Sequence, residues 1–305
     1  MSPGAARLVD GPPRGGPFHV AEGRHDHGFG TVMMGITHAT SGAAAWVALT
    51  STMPVLTLGA HPLDPTGVLA GAAVCAGAAL LPDADHRSAT IAQSVPVLGR
   101  LATSVVGELT GGHRHGAHSA LAVMVVAVAS WALSLVVLPA ETLGIGSVGT
   151  ALGAEQIALG AGAGTAALTA FGLRARDFVA SWPLAWFCGL LLGTFIALLA
   201  PQQAAWFPLA VTAGFAVHLL GDLLTVGGLP GLLWPWVPRP PRSLRPVPVL
   251  RLLWLPNGYI ALPLLGRTGS TRETLFGMLL ALYAFAGSGW ECLVLLGVEP
   301  ALGAG

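Results

Sequence analysis

Apolar residues in this chain gather into seven long runs separated by short polar segments. The runs cover residues 36–56, 66–82, 118–139, 148–172, 179–200, 207–229 and 274–298. A helix that crosses a bilayer needs about 20 mostly apolar residues, and most of these runs approach that length. The pattern predicts an all-α fold, a polytopic transmembrane helical bundle of about seven spans. The second run is short. The fourth is rich in Gly and Ala and contains Glu155. Its small residues suit close helix packing; if it is a linker instead, six spans remain.

The polar segments carry the charge, and they carry it unevenly. All 14 cationic residues are arginines. Counted over the N-terminal tail, the six connections and the C-terminal end, the arginines run 3, 0, 3, 0, 2, 0, 6, 0. Cationic residues are retained on the cytoplasmic side of a membrane. The alternation therefore predicts a membrane protein with a cytoplasmic N-terminus and the C-terminus outside, and losing one span would break it.

Composition agrees. Hydrophobic residues make up 53% of the chain and charged residues only 9%, against roughly 25% charged in soluble domains. Net charge is zero, and no basic tract suggests nucleic acid. Cys75, Cys188 and Cys292 each sit in an apolar run with no CxxC spacing, and read as small core residues. Residues 1–34 lack an apolar signal segment and read as a disordered tail. Met33 and Met34 stand just before His38, so residues 1–33 are expected either to lie upstream of the true start or to be a dispensable tail. The rest, residues 35–300, reads as one transmembrane domain. Within it, residues 83–117 form a cytoplasmic loop, and residues 230–272 form a Pro-, Arg- and Trp-rich segment. That segment either lies in the headgroup interface or is a plain connecting loop with anchors.

Ionisable groups at membrane depth are costly and mark function, and here they cluster. MGITHAT places His38 at the start of the first span. LLPDADH places Asp83, Asp85 and His86 at the end of the second. GGHRHGAHS places His113, His115 and His118 at the start of the third. HLLGD places His218 and Asp222 late in the sixth. The i, i+4 spacing sets His218 and Asp222 on one helix face. The arginine topology brings all four groups to the same side of the membrane. Taken singly, each has a plain reading as a helix cap, a turn or a polar loop; their coincidence is what points to one site. Mixed imidazole and carboxylate donors suit zinc, manganese or iron(II) better than magnesium or calcium. The set exceeds the three protein ligands of a catalytic zinc, so one or two ions, or residues behind the ligands, are expected.

These blocks, in this order, resemble the bacterial family of LexA-binding, inner membrane-associated metal-dependent hydrolases over residues 34–275. A later GRTGSTRE adds to the likeness. The resemblance implies a metal site formed by His38, Asp83, Asp85, His113, His118, His218 and Asp222. Its third block ordinarily reads HRGxTHS; here His115 replaces the Gly and Ala117 the Thr, while His113 and His118 keep their spacing. The expected activity is hydrolysis of a lipid or lipid-linked phosphoester at the cytoplasmic face, with Asp85 as general base and Arg114 stabilising the oxyanion. The alternatives are a metal-ion or small-solute transporter, disfavoured because the polar groups gather at one end, and a scaffold for a cytoplasmic regulatory protein such as LexA.

Overall fold

The computed structural model describes residues 30–86, 89–95, 97–112, 114–230 and 234–298, the side chains of residues 30–34 and 203 aside. Its α-helices are α1 Gly30–Thr50, α2 Pro65–Ala78, α3 Leu98–Leu109, α4 Ala120–Ser134, α5 Gly146–Leu152, α6 Leu159–Ala175, α7 Trp182–Thr194, α8 Phe207–Leu223, α9 Pro248–Leu253 and α10 Thr271–Leu295. Two short strands, β1 Leu138–Pro139 and β2 Gln156–Ile157, pair antiparallel. The protein is an all-α membrane bundle. Helices α1, α2, α4, α6, α7, α8 and α10 each occupy one of the seven apolar runs. Among the described residues, Pro65–Asp85, Trp182–Leu199, Ala204–Leu223 and Thr271–Leu295 are long and apolar enough to cross a membrane on their own, and Ala120–Ser134 is apolar but shorter.

The boundaries differ from the expected ones in three places. First, α1 begins at Gly30, so residues 30–34 have helical backbone instead of continuing the tail. Second, the fourth apolar run folds as α6, not as one helix over residues 148–172. Gly144 and Gly153 adopt left-handed conformations that stop the preceding turns. The chain then folds through β1 and β2, which leaves Glu155 in a loop before α6 starts. Third, the loop of residues 83–117 contains α3, whose Leu98, Leu101, Val105 and Leu109 are exposed on one face.

Helix α2 is the centre of the bundle. It packs against α1, α6, α8 and α10, which explains how 14 residues suffice for it. Its neighbours approach backbone to backbone. A Cβ at Gly42 of α1 would fall 2.5 Å from the Cys75 carbonyl oxygen, and one at Gly214 of α8 would fall 2.3 Å from the same atom. On the α6 side, a Cβ at Gly77 would fall 1.8 Å from the Leu168 carbonyl oxygen. Larger packing units surround these contacts: Trp46, Val47, Val68, Val74, Ile196 and Phe207 are fully buried. Only glycine permits such separations, so the small-residue runs are what hold the helices together where apolar burial gives no drive in lipid.

At the end of α1 away from His38, Glu291 of α10 is fully buried. Its carboxylate accepts from Ser51 Oγ at 2.6 Å and from the Thr52 amide at 2.8 Å. The sequence reading passed over this carboxylate because it lies inside an apolar run with no partner nearby in the chain.

Gly77→Val should drive α2 and α6 apart and lower stability by more than the roughly 1–3 kcal/mol usual for overpacking. Gly289→Ala, where a Cβ meets nothing within 4 Å, should be close to neutral. Thermal unfolding of the two variants in detergent checks this.

Candidate metal centre

The site is built where α1, α2 and α8 meet. One turn of α8 separates His218 from Asp222, and both side chains are buried on the same face. The end of α8 is closed by the returning chain: the Leu262 and Leu265 amides donate to the Leu223 and Leu224 carbonyls at 2.7 and 3.0 Å. This satisfies terminal carbonyls that would otherwise lack partners. Past α2, Pro82–Asp85 forms a tight 3-10 turn. The turn sends Asp83 to the inner side of His118 and Asp85 to its outer side. His118 itself ends the 3-10 turn Gly116–His118 just before α4.

The donor atoms converge. His118 Nε2 lies 3.3 Å from His218 Nε2. Asp222 Oδ2 lies 3.4 Å from His118 Nε2 and 3.5 Å from His218 Nε2. Asp83 Oδ1 lies 3.8 and 3.7 Å from the same two nitrogens. His38 stacks on His218 with ring centroids 3.7 Å apart, and its Nε2 is 3.6 Å from Asp222 Oδ1. Two triads result, His38–Asp83–His218 and His118–His218–Asp222. Asp222 Oδ2 is buried and, among the described residues, has no hydrogen-bond partner, although it faces two imidazoles.

The remaining ring nitrogens set the tautomers. His218 Nδ1 lies 2.7 Å from the Ala79 carbonyl. A carbonyl can only accept, so the proton of the neutral ring sits on Nδ1 and the lone pair on Nε2. His118 Nδ1 lies 3.4 Å from Asp85 Oδ2. Asp85 thus stands behind His118 instead of among the converging donors, the usual place of a carboxylate that orients a ligand imidazole.

Arg114 is held from three directions. Its amide donates to Asp85 Oδ2 at 3.0 Å, its carbonyl accepts from the Tyr259 hydroxyl at 2.8 Å, and its guanidinium bonds Asp222 Oδ1 at 2.8 Å. Its φ of 58° is unusual for a residue with a side chain. The guanidinium passes where Gly227 leaves room: a Cβ there would fall 2.2 Å from Nη1. Expected as an oxyanion stabiliser, Arg114 is here committed to Asp222. Tyr259 was missed in the sequence; it is one of only two tyrosines in the chain, which is the one signal that marked it. Outside the spans, burial pushes its phenol up while the Arg114 guanidinium opposes the shift, so it remains a donor at neutral pH.

The placements of the other expected residues are simple. His115 is exposed and meets the Tyr259 ring edge-on at 6.2 Å, away from the converging donors. His113 lies outside the described residues. Asp83, 21% exposed at its side chain, is the open edge of the cluster, since His118 and His218 are fully buried. Behind His38 and Asp222, a cavity of about 20 Å3 is bordered by Thr37, Ser41, Thr268 and Glu273. It has room for about one water. The GRTGSTRE block therefore serves the site indirectly. Its Ser270 caps α10, Glu273 accepts from the Gly269 amide at 2.6 Å, and Thr268 lines the cavity.

The model of the family described as YdjM inner membrane protein matches residues 33–163. That stretch includes His38, Asp83, Asp85, His113 and His118; His218 and Asp222 lie beyond it. No curated protein and no solved structure matches the chain. The likeness and the apolar helices together describe a helical membrane protein.

Asp222→Ala should destabilise the protein by about 3–5 kcal/mol, because it leaves the buried end of Arg114 without a counter-charge. His115→Gly should change stability by no more than about 0.5 kcal/mol, as exposed positions usually do. Denaturant or thermal unfolding in detergent distinguishes the two.

Proposed function

We propose that this protein is a membrane-embedded metal-dependent hydrolase acting on a lipid-type phosphoester at the cytoplasmic face of the inner membrane. The observation that carries the reading is the spacing of the donor atoms. Ligands about 2.0–2.1 Å from a tetrahedral ion stand about 3.3–3.4 Å from one another. The five distances linking His118, His218, Asp83 and Asp222 run from 3.3 to 3.8 Å. The orphaned Asp222 Oδ2 fits the same account, since a lone pair without a proton donor suits a cation.

His118, His218 and Asp222 would hold the ion and leave its fourth position for water, with His38 behind them and Asp83 at the open edge. Zinc fits such a set best, with manganese or iron(II) next. Charge supports a single ion. Asp83, Asp85 and Asp222 set three negative charges against the one of Arg114, so one divalent cation balances the two left over. The overlap of the triads supports it as well. Both use His218, whose Nε2 has one lone pair and whose Nδ1 is engaged by Ala79.

Such an ion supplies Lewis acidity and a route to hydroxide near neutral pH. The protein's own groups do the rest. The Ala79 carbonyl holds His218 in the tautomer that offers Nε2, and Asp85, 3.4 Å from Nδ1, would orient His118 the same way. Arg114 holds Asp222 in place. Asp83, at the open edge, is the carboxylate best placed to take a proton from the attacking water, ahead of the more enclosed Asp85. Addition of water across the phosphorus–oxygen ester bond would release an alcohol and a phosphate.

Transport is disfavoured by what lies deeper. Between His38 and the Glu291 end, the α1 residues Ala39, Ala43, Ala44, Trp46 and Val47 are buried and apolar, which is a poor path for an ion.

Purified full-length protein should contain about one divalent ion per chain by mass spectrometry. Asp222→Ala and His218→Ala should lose most of it, and His115→Gly should keep it. A micellar p-nitrophenyl phosphodiester should be cleaved by the loaded protein and not after chelation. Metal-free wild-type protein, or cleavage of the matching carboxylic ester alone, would overturn the reading. The arginine alternation supports a cytoplasmic N-terminus; reporter fusions after residues 144 and 177 should then read outside and inside respectively, and the opposite pair would reverse the topology.

A further inference from the structure

Between Asp222 and Glu273 the chain has six arginines and no carboxylate. Folding does not correct the imbalance. Among the described residues, the arginine–carboxylate pairs are those of Arg114 and Arg174, neither of them in this segment. Six arginines without a carboxylate partner among the described residues leave this stretch able to take an anion from outside the chain.

Two of them share a cleft. Arg245 and Arg251 line a depression of about 270 Å3 with Trp254, Pro240, Pro246 and Pro256. The cleft is built, not incidental. Proline rings restrict its backbone on several sides. Trp254 is fixed by its indole N–H, which donates to the Pro238 carbonyl at 3.0 Å. Arg245 is fixed at its neck, where Nε donates to the Pro240 carbonyl at 3.1 Å. That bond leaves its two terminal amino groups, and the guanidinium of Arg251 keeps its donors too. Guanidinium groups match phosphate oxygens in planar, paired hydrogen bonds, and two facing one cleft repel each other until an anion enters.

The surroundings are apolar and exposed. Trp236, Val249, Leu252 and Leu264 all present large surfaces outward, with Val249 and Leu252 in α9 beside Arg251. Cations interleaved with exposed apolar side chains suit the boundary between headgroups and acyl chains. The segment is also tied to the site end of the bundle, through the Leu229–Ile260 backbone pairing and the Tyr259–Arg114 hydrogen bond.

We propose that the cleft formed by Arg245, Arg251 and Trp254 is a phosphate-binding site, filled by the headgroup of an anionic phospholipid or by a free phosphate anion. It stands whether or not the His/Asp cluster binds a metal.

The test uses the full-length protein in nonionic detergent, titrated with phosphatidylglycerol, with phosphatidylcholine as the baseline, and separately with inorganic phosphate. The thermal midpoint is read in each. A rise with phosphatidylglycerol beyond the baseline assigns the site to a lipid headgroup; a rise with inorganic phosphate alone assigns it to a soluble anion. In either case the Arg245→Gln/Arg251→Gln double variant should lose at least about three-quarters of the rise, and Arg242→Gln, outside the cleft, should keep it. Equal rises in wild type and double variant, or no rise with either phosphate source, overturn the proposal. Should the double variant fail to fold, Arg251→Lys preserves the charge but not the paired hydrogen bonds. Half-saturation about tenfold weaker in that variant supports the site, and an unchanged value refutes it.

Discussion

The structure turns on Asp222, a carboxylate 1% exposed inside an apolar helix. A buried charge without partners costs several kcal/mol even after the protein relaxes, so the surrounding chain must supply them. Arg114 answers at Oδ1, but reaching it requires a left-handed backbone at residue 114 and the absence of a side chain at Gly227. That conformation is held in turn by Asp85 at the amide and Tyr259 at the carbonyl. The loop after α3, the turn after α2 and the proline-rich segment are therefore tied together through one carboxylate.

Helix packing makes this convergence possible. His38 and His218 stack at 3.7 Å between centroids, which requires α1 and α8 to be close at this level. Gly42 and Gly214 provide the approach by resting on the Cys75 carbonyl from two sides. Gly221 faces His38 directly, with a hypothetical Cβ only 3.2 Å from its Cε1. The glycines that look like mere membrane composition are thus the reason that imidazoles from two helices can share a carboxylate. A single added methyl at these points would open the site before it disturbed the helices as such.

Much of this was legible in the chain. Seven apolar runs became seven helices because length and hydropathy dominate in lipid. The grouping of His38, Asp83, His118, His218 and Asp222 was legible because arginine asymmetry and i, i+4 spacing are both local signals. What escaped depends on long-range partners. The division of labour in PDAD, with Asp83 inward and Asp85 behind His118, is set by a tight turn whose direction only His118 and Arg114 reveal. Arg114 looked free for substrate because its partner lies 108 positions away. The helix of the fourth run was misplaced because Gly and Ala read equally well as close-packed helix and as turn, and Gly144 and Gly153 decide for the turn only through their left-handed backbone.

The two ends of the bundle show that burial alone does not explain the His/Asp cluster. Glu291 is as deeply buried as Asp222, yet the hydroxyls of Ser51 and Thr52 and an amide all donate to its carboxylate. Donors meet an acceptor, and the carboxylate acts as a cap beyond α1. At the other end, imidazoles and carboxylates converge without a hydroxyl or amide among them. The Nε2 atoms of His118 and His218 and the oxygens of Asp83 and Asp222 point at one another across 3.3 to 3.8 Å. The ring proton of neutral His218 is turned outward to the Ala79 carbonyl, and His118 Nδ1 faces Asp85 Oδ2 at 3.4 Å. A fold that merely needed to bury a carboxylate had hydroxyl donors to use, as it did at Glu291. Turning the His218 proton to Ala79 leaves its Nε2 lone pair facing the carboxylates, a donor set that could hold a cation, and that is the contrast with Glu291 within one chain.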